Sequence, residues 1–267
     1  MSARSYLYVP ANNLEMLEKA IHRGSDALII DLEDAVRVDE KHQARINFDN
    51  WLKSVSTEQQ IWVRINSKTI EEDLKFANTK KVTGIVVPKA TTQNLTQVSQ
   101  LTKSDMLISA LIETADSILL SREIAAIHKV LFLQIGILDL RAELGLPLDS
   151  DSPTLEHALS HLVLACAAAG IEQPIAPIFR DFNDSAEFRR NCKKYKDFGF
   201  FGRTAVHPKQ IEIINEEFSS SIEEVVQAER ILEKLESSRG VAVDDDGKMI
   251  DEASARIARK IVARKLL

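Results

Sequence analysis

Two acidic residues at the ends of apolar segments carry the chemistry that this sequence suggests. Glu113 follows the run Met106–Ile112, and Asp139 follows Leu131–Leu138. A lone carboxylate at the end of a buried strand is costly to desolvate unless it meets a cation. If the two strands are neighbours, both carboxylates reach the same rim. Two converging anions with few histidines nearby favour magnesium over zinc, so Glu113 and Asp139 are our predicted magnesium ligands.

Other partners would also explain these two carboxylates. Glu113 would be satisfied by a lysine, or by capping a helix that starts near Asp116. A salt bridge to Lys89 or Arg64 would neutralise either acid. The pair alone therefore does not establish a metal site.

A basic residue interrupts a third apolar run. Arg64 lies in WVRINS, and a guanidinium at such a strand end can hold an organic carboxylate with two parallel hydrogen bonds. Its alternative role is to neutralise Glu33 or Asp34 in a structural network of ion pairs. Lys89 resembles a Schiff-base lysine by position, but its acidic surroundings should raise its pKa and keep it protonated.

The elements that would position these residues are eight short apolar runs, each followed by a segment with helical periodicity or a helix-start signal. Nearly continuous hydrophobicity is typical of parallel strands buried on both faces. The predicted strands are Tyr6–Pro10, Ala27–Asp34, Ile61–Asn66, Gly84–Lys89, Met106–Thr114, Leu131–Asp139, Pro174–Asp181 and Thr204–Pro208.

Eight alternating strand and helix units predict an α/β fold, a (β/α)8 TIM barrel. An open, doubly wound sheet is the alternative, but the sequence lacks both G-x-G-x-x-G and the P-loop motif. Polar residues end almost every predicted strand, which favours a site at the carboxyl rim over isolated helix caps. They are Asn12, Asn13, Glu33, Asp34, Arg64, Asn66, Lys89, Glu113, Asp139, Asp181 and His207. We interpret His207 as a loop histidine bonded to backbone.

The chain beyond the eighth strand exceeds what a barrel needs. Helices are predicted over Gln210–Glu217, Ile222–Ser238 and Glu252–Leu266, with a polar turn or short strand over Gly240–Met249. We therefore expect a barrel over residues 1–238 and a separate C-terminal segment over residues 239–267.

Composition narrows the function classes. The 267 residues are 45% hydrophobic and 28% charged with a net charge of −6, which is ordinary for a globular enzyme. Lysine and arginine are scattered, so no nucleic-acid surface is indicated. The two cysteines match no metal or redox spacing. With no apolar run long enough for a signal peptide or a membrane span, we expect a cytoplasmic protein that contacts no membrane.

Ten short motifs, in order along nearly the whole chain, resemble the citrate lyase β-subunit family, part of the HpcH/HpaI aldolase and citrate lyase superfamily of CoA-ester lyases. They are RSYLYVP (Arg4–Pro10), DALIIDLEDAV (Asp26–Val36), KHQAR (Lys41–Arg45), VRIN (Val63–Asn66), VVPKA (Val86–Ala90), IET (Ile112–Thr114), GILD (Gly136–Asp139), AGI (Ala169–Ile171), FFGRTAVHPKQI (Phe200–Ile211) and GKMID (Gly247–Asp251).

The resemblance implies a homotrimer, or a dimer of trimers, of barrels that bind Mg²⁺, a keto acid and a CoA thioester. It assigns the metal to Glu113 and Asp139 and substrate binding to Arg64, with Glu33 and Asp34 beside the metal's water molecules. It also implies that Asp251, from the C-terminal segment, completes a neighbouring subunit's site. A desolvated position there would raise the pKa of Asp251, our candidate for proton transfer.

The sequence departs from the family pattern at three rim positions. Leu138 replaces an acidic residue before the metal-binding aspartate, Ala11 replaces a glycine, and Asn13 replaces a basic residue. These changes put the identity of the substrate in question more than the metal.

We expect a magnesium-dependent lyase that cleaves or forms a 3-hydroxyacyl-CoA thioester of the citryl-, malyl- or citramalyl-CoA type, yielding acetyl-CoA and a 2-keto acid. Arg64 and Asp251 are the expected catalytic residues, and Arg64, Glu113, Glu33, Asp34 and Lys89 are expected to bind substrate. The alternatives are a pyruvate-type class II aldolase acting without CoA and a non-catalytic homologue that binds a CoA ester.

Overall fold

The structure is a computed structural model that describes residues 3–148, 152–238, 242–244 and 247–264. It divides into two compact units, Met1–Asn215 and Glu216–Leu267. The division precedes the position expected from the sequence, since the helix over Ile222–Ser237 belongs to the second unit.

The first unit is a closed barrel of eight parallel strands in chain order, as predicted. The barrel closes where the first strand pairs with the eighth, through Tyr6 and Thr204 among others. The strands are β1 (Ser5–Pro10), β2 (Ala27–Asp31), β3 (Gln60–Arg64), β4 (Gly84–Val87), β5 (Leu107–Ile112), β6 (Val130–Ile135), β7 (Ile175–Ala176) and β8 (Gly202–Ala205).

Helices follow the strands, as right-handed parallel crossovers require. They are α1 (Leu14–Ala20), α2 (Lys41–Ser54), α3 (Ile70–Ala77), α4 (Thr92–Leu101), α5 (Ala115–Leu119), α6 (Ser121–Ala125), α7 (Ile137–Leu144), α8 (Pro153–Ala169), α9 (Ser185–Phe198), α10 (Ile211–Glu217), α11 (Ile222–Ser237) and α12 (Glu252–Arg264). Short 3₁₀ turns span Val38–Glu40 and Pro208–Gln210.

Three aromatic rings fill the interior of the barrel. Tyr6 contacts Phe132 at 5.5 Å and Trp62 at 6.3 Å between ring centroids, and Trp62 lies 5.0 Å from Phe132. All three side chains are fully buried. Gly84 makes room for the indole, because a Cβ at that position would fall 2.4 Å from Trp62. The rings form a packed floor beneath the carboxyl rim.

Several strands end earlier than the apolar pattern predicts, which corrects the placement of Asp139. We expected Asp139 to end a strand, but β6 stops at Ile135 and Asp139 lies in the first turn of α7. Gly136, with φ −90° and ψ 78°, turns the chain from strand to helix. The apolar residues Ile137 and Leu138 therefore belong to the helix and not to the strand.

The second unit consists of two packed helices and a short hairpin. Small and branched residues form the buried face of the helix pair: Val225 and Ala228 of α11, and Ala255 and Ala258 of α12. Strands β9 (Ala242–Val243) and β10 (Met249–Ile250) pair in antiparallel fashion. Gly240, at the start of the predicted polar turn, and Leu266, the predicted end of the last helix, lie outside the described residues.

Among the described residues, no helix is long and apolar enough to cross a membrane.

Candidate metal and substrate site

Glu113 stands directly after β5 and is 3% exposed. Its Oε1 accepts a hydrogen bond from the backbone N–H of Lys89 at 2.6 Å. Burial raises the pKa of Glu113 to about 7; the Lys89 hydrogen bond lowers it, and the charges of Asp139 and Glu33 raise it further. A buried carboxylate with acidic neighbours is poised to bind a cation.

Asp139 reaches the same pocket from the first turn of α7. Gly136 lies between the two acids in sequence and leaves space for Glu113, since a Cβ on Gly136 would fall 2.6 Å from Glu113 Oε2. The backbone turn after β6 therefore leaves room for the carboxylate of Glu113 and places Asp139 at the same pocket.

The donor set of this pocket fits magnesium. Glu113 and Asp139 offer carboxylate oxygens, the ligands that this ion prefers, and magnesium normally keeps several positions for water or substrate oxygens. Within the described part of the chain, no three His, Cys, Asp or Glu residues are grouped closely enough to hold a metal. Two protein ligands with small-molecule oxygens match this arrangement.

Arg64, the last residue of β3, is held by a carboxylate that the sequence did not single out. Its Nε and Nη2 donate to the two oxygens of Asp31 at 2.8 and 2.5 Å. Asp31 is paired with Arg64 across β2 and β3 and is 2% exposed. The ring of Tyr8 lies 4.9 Å from the guanidinium carbon, so a cation–π contact supports the pair.

The alternative role of Arg64, neutralising Glu33 or Asp34, is also present, at longer distances than its pair with Asp31. Arg64 Nη1 lies 3.2 Å from Glu33 Oε2 and 3.9 Å from Asp34. Glu33 Oε2 has no hydrogen-bond partner among the described residues, although Glu33 is 5% exposed. Burial raises the pKa of Glu33; Arg64 opposes this and Asp34 reinforces it.

Lys89 is charged, as its acidic surroundings predicted. Its Nζ lies 3.4 Å from Glu33 Oε1. Burial opposes the charge, but Glu33, Glu113 and Asp34 together raise the pKa of Lys89. A lysine held protonated in this way is a poor Schiff-base nucleophile.

A cavity of about 280 Å³ is lined by Arg64 and by the acids Asp31, Asp34, Glu113 and Asp139. Its walls combine the acids and Arg64 with Tyr8, Gln134 and Leu138. Gln134 is fixed by donating to Ser109 at 2.9 Å. Tyr8 and Gln134 were missed in the sequence because both lie inside apolar runs, and only strand alternation turns them into the barrel.

Several other predicted rim residues act in local structure. Asn13 caps α1 by accepting from Met16 N–H at 3.0 Å, and Asn66 accepts from Lys68 N–H at 2.9 Å. Asp181 is exposed and accepts from Asn183 N–H, while His207 accepts from Lys209 N–H. The cap interpretation holds for Asn13 and for His207, which caps the 3₁₀ turn Pro208–Gln210, whereas Asn66 and Asp181 form turns outside the helices.

Asp251 lies in the second unit, immediately before α12. It accepts from the Ser254 N–H at 2.8 Å and from the Ser254 hydroxyl at 2.9 Å. In the single chain these bonds lower the pKa of Asp251, opposite to the direction expected for a desolvated position between subunits. Its carboxylate is ionised and fixed at the start of the helix.

Comparisons with known proteins agree with this architecture. A (3S)-malyl-CoA thioesterase of Cereibacter sphaeroides is 34% identical over 98% of this chain and 94% of its own length. An L-malyl-CoA/β-methylmalyl-CoA lyase of the same species is 27% identical over 97% and 93%.

Among solved structures, the chain is similar to the protein CitE of Mycobacterium tuberculosis in complex with magnesium, acetoacetate and coenzyme A. The TM-score is 0.80 with 25% identity, covering 100% of this chain and 99% of that one. The model of the HpcH/HpaI aldolase/citrate lyase family matches residues 4–208, and this chain therefore belongs to that family.

Proposed function

We propose that the protein catalyses the magnesium-dependent, reversible cleavage of a 3-hydroxyacyl-CoA thioester of the citryl-, malyl- or citramalyl-CoA type, yielding acetyl-CoA and a 2-keto acid. The observation that carries this proposal is the meeting of Glu113, Asp139 and Arg64 in one cavity at the barrel rim. The lyase and CitE relatives support the choice of substrate class.

Glu113 and Asp139 would hold the ion. When bound, magnesium supplies a Lewis acid that polarises the keto acid's carbonyl oxygen. Substrate binding and proton transfer are assigned to the side chains around the ion.

Arg64 is the proposed anchor for the carboxylate of the keto acid. Asp31 accepts a hydrogen bond from Nε of the guanidinium. Nη1, which lies near Glu33, is then the nitrogen proposed to donate to a substrate oxygen. Because the anchor is already fixed before substrate arrives, little side-chain entropy is lost on binding. Lys89, with its side chain 49% exposed, and Glu33, 3.4 Å from it, are proposed to contact the substrate beside the cavity, and Asp34 lines the cavity wall.

Asp251 is the proposed group for proton transfer at the enolate carbon of the thioester. We propose that the protein is a homotrimer in which Asp251 of one subunit completes the site of the next. Two inactive variants, Glu113→Gln and Asp251→Asn, would then restore activity when their subunits are mixed and exchanged, because some sites receive both intact residues. Mixtures that stay inactive, despite proven subunit exchange, would contradict a shared site.

The direct test incubates citryl-, malyl- and citramalyl-CoA with the protein and magnesium and measures acetyl-CoA. Glu113→Gln and Asp139→Asn should abolish turnover and magnesium binding. Glu123→Gln, an equal loss of charge at an exposed position on α6, should change neither. Failure to cleave or bind any of the thioesters would reject the CoA proposal, and turnover of free hydroxy-keto acids instead would indicate a pyruvate-type aldolase. Thioester binding without turnover would indicate a non-catalytic homologue.

Thioester hydrolysis is the second candidate, favoured by the 34% identity to (3S)-malyl-CoA thioesterase. Here a water oxygen would attack the thioester carbonyl, and the carbon–sulfur bond would break to release free thiol. The same incubation separates the two reactions. A lyase yields acetyl-CoA and a keto acid, whereas a thioesterase yields free CoA and the intact hydroxy acid.

A further inference from the structure

A fully buried guanidinium lies outside the barrel wall and is not one of the groups of the candidate metal and substrate site. Arg203 of β8 is 1% exposed. Three aromatic rings surround it, with the guanidinium carbon 4.8 Å from the centroid of Phe188, 5.1 Å from Tyr195 and 5.7 Å from Phe179. The rings replace water around the charge.

The charge of Arg203 is not matched by an anion. Its Nη1 donates to the thiol sulfur of Cys192 at 3.6 Å, and its Nε finds no hydrogen-bond partner within the described ranges. No carboxylate among the described residues lies within ion-pair distance. Arg45 behaves differently: it is also buried, but Asp73 lies 2.7 Å from its Nε. An unpaired buried cation is unfavourable and calls for a compensating group.

The guanidinium lines a cavity of about 680 Å³ between α7 and α9. Arg141 and Arg180 also line it, so its basic groups exceed its acidic ones, Asp181 and Glu187. Asn191, on α9, contributes a buried Oδ1 that has no hydrogen-bond partner in the described part of the chain. Two residues that line this cavity therefore each carry an unsatisfied polar atom, one a donor and the other an acceptor.

We propose that this cavity binds an oxyanion, a carboxylate or phosphate group, that accepts a hydrogen bond from Arg203 Nε–H. Asn191 Oδ1 accepts a hydrogen bond from a hydroxyl group of the same ligand. Glu113, Asp139 and Arg64 do not line this cavity, although Ile137, Leu138 and Ile178 form a wall common to both spaces. The bound anion would lie behind the candidate catalytic pocket and be distinct from its substrate.

The test measures thermal unfolding of the full, metal-free chain with increasing inorganic phosphate or acetate, at an ionic strength kept constant with chloride. A ligand that binds only the folded state raises Tm in proportion to its occupancy. We expect a saturable rise for the wild type and for Arg190→Met, which replaces an exposed arginine of α9. Arg203→Met should abolish the rise and, without added anion, unfold at the wild-type Tm or above it.

A rise in Tm with phosphate but not with acetate would identify a phosphate ligand. An equal rise with acetate would identify a carboxylate ligand. Either result supports the proposal. An equal rise in wild type and Arg203→Met would place the anion elsewhere, Arg64 included, and overturn it. No rise in the wild type would also overturn it.

A second measurement covers the case in which Arg203→Met does not fold. The Arg203 Nε–H resonance of ¹⁵N-labelled wild type, assigned through Arg203→Lys, should move saturably on addition of phosphate or acetate. A resonance that stays fixed throughout both titrations, while chloride is exchanged for each anion, would reject the site.

Discussion

The backbone of Gly136 lies directly against the carboxylate of Glu113. A Cβ added to Gly136 would fall 2.6 Å from both the Cβ and the Oε2 of Glu113. Real Cβ atoms do not approach other atoms so closely, so Glu113 or the backbone at position 136 would have to shift. The glycine thus determines where one of the two proposed metal ligands can lie.

Gly136→Ala should displace Glu113 and weaken magnesium binding by at least about tenfold, because a shifted carboxylate no longer converges with Asp139. Isothermal titration with magnesium would measure the change. Gly24→Ala is the control: Gly24 has φ +75° and nothing within 4 Å of an added Cβ. That variant should lose about 1 kcal/mol of stability with its magnesium affinity unchanged. Unaltered binding in Gly136→Ala would show that Glu113 is not a ligand.

Magnesium binding should weaken as the pH falls. The pKa of Glu113 is raised to about 7 in the metal-free protein, so below that pH an incoming ion must displace a proton. Affinity should fall by up to about tenfold for each pH unit below 7 and level off above it. Titration calorimetry in two buffers of different ionisation enthalpy would detect the released proton.

Lowering the pH has opposite effects on the stability of the fold and on the affinity for magnesium. Because the folded-state pKa of Glu113 exceeds its unfolded value, protonation favours the fold. That contribution is complete below the unfolded pKa of about 4.3 and is lost as the pH rises through about 7. Glu113→Gln should remove this pH dependence of stability, since its amide does not titrate. A magnesium affinity independent of pH in the wild type would contradict the assignment.

Breaking the Arg64–Asp31 pair from one side should be costly. Arg64→Met leaves the buried carboxylate of Asp31 with hydrogen bonds only from the backbone N–H groups of Glu33 and Ala35, so we expect a loss of about 3 kcal/mol in the free energy of unfolding. Asp31→Asn combined with Arg64→Met should recover part of that loss. Arg37→Met, which removes an exposed pair with Asp39, should change stability by less than about 1 kcal/mol. Additive losses in the double variant would mean that the pair is not coupled.

Asp251→Asn separates the chemistry of this residue from its role as a helix cap. Asparagine caps helices as well as aspartate does, so Tm and magnesium affinity should stay at wild-type values. Turnover should fall by about 10²-fold or more if the carboxylate transfers a proton. The neighbouring Glu252→Gln, which removes an exposed pair with Arg259, should leave kcat unchanged. Wild-type kcat in Asp251→Asn would exclude Asp251 from proton transfer.

The barrel was predictable because a parallel strand covered on both faces is apolar throughout. β2 and β4 are buried at every position, and both stand out as unbroken runs. The strand ends were not predictable in the same way. Leu32, Ile65 and Ile137 continue the apolar pattern beyond the last residues of β2, β3 and β6, so hydrophobicity alone extends each strand too far.

Glu113, Arg64 and Lys89 were recognisable because a charge in an apolar run is conspicuous. Asp31 was not, since its importance depends on the register that places it opposite Arg64. Arg203 escaped notice for a related reason. Its surroundings come from α9 and the loop before it, and nothing in the local sequence shows that no acid accompanies it.

Lys89, whose backbone is left-handed with φ 45°, donates its N–H to Glu113 Oε1. That bond leaves Oε2 as the oxygen of Glu113 without a main-chain donor. If each acid binds through one oxygen, a six-coordinate magnesium would have most of its coordination positions open to small molecules. The protein alone would then bind the ion weakly. A chelating acid would strengthen the binding of the ion, and the ion would strengthen the binding of the acid.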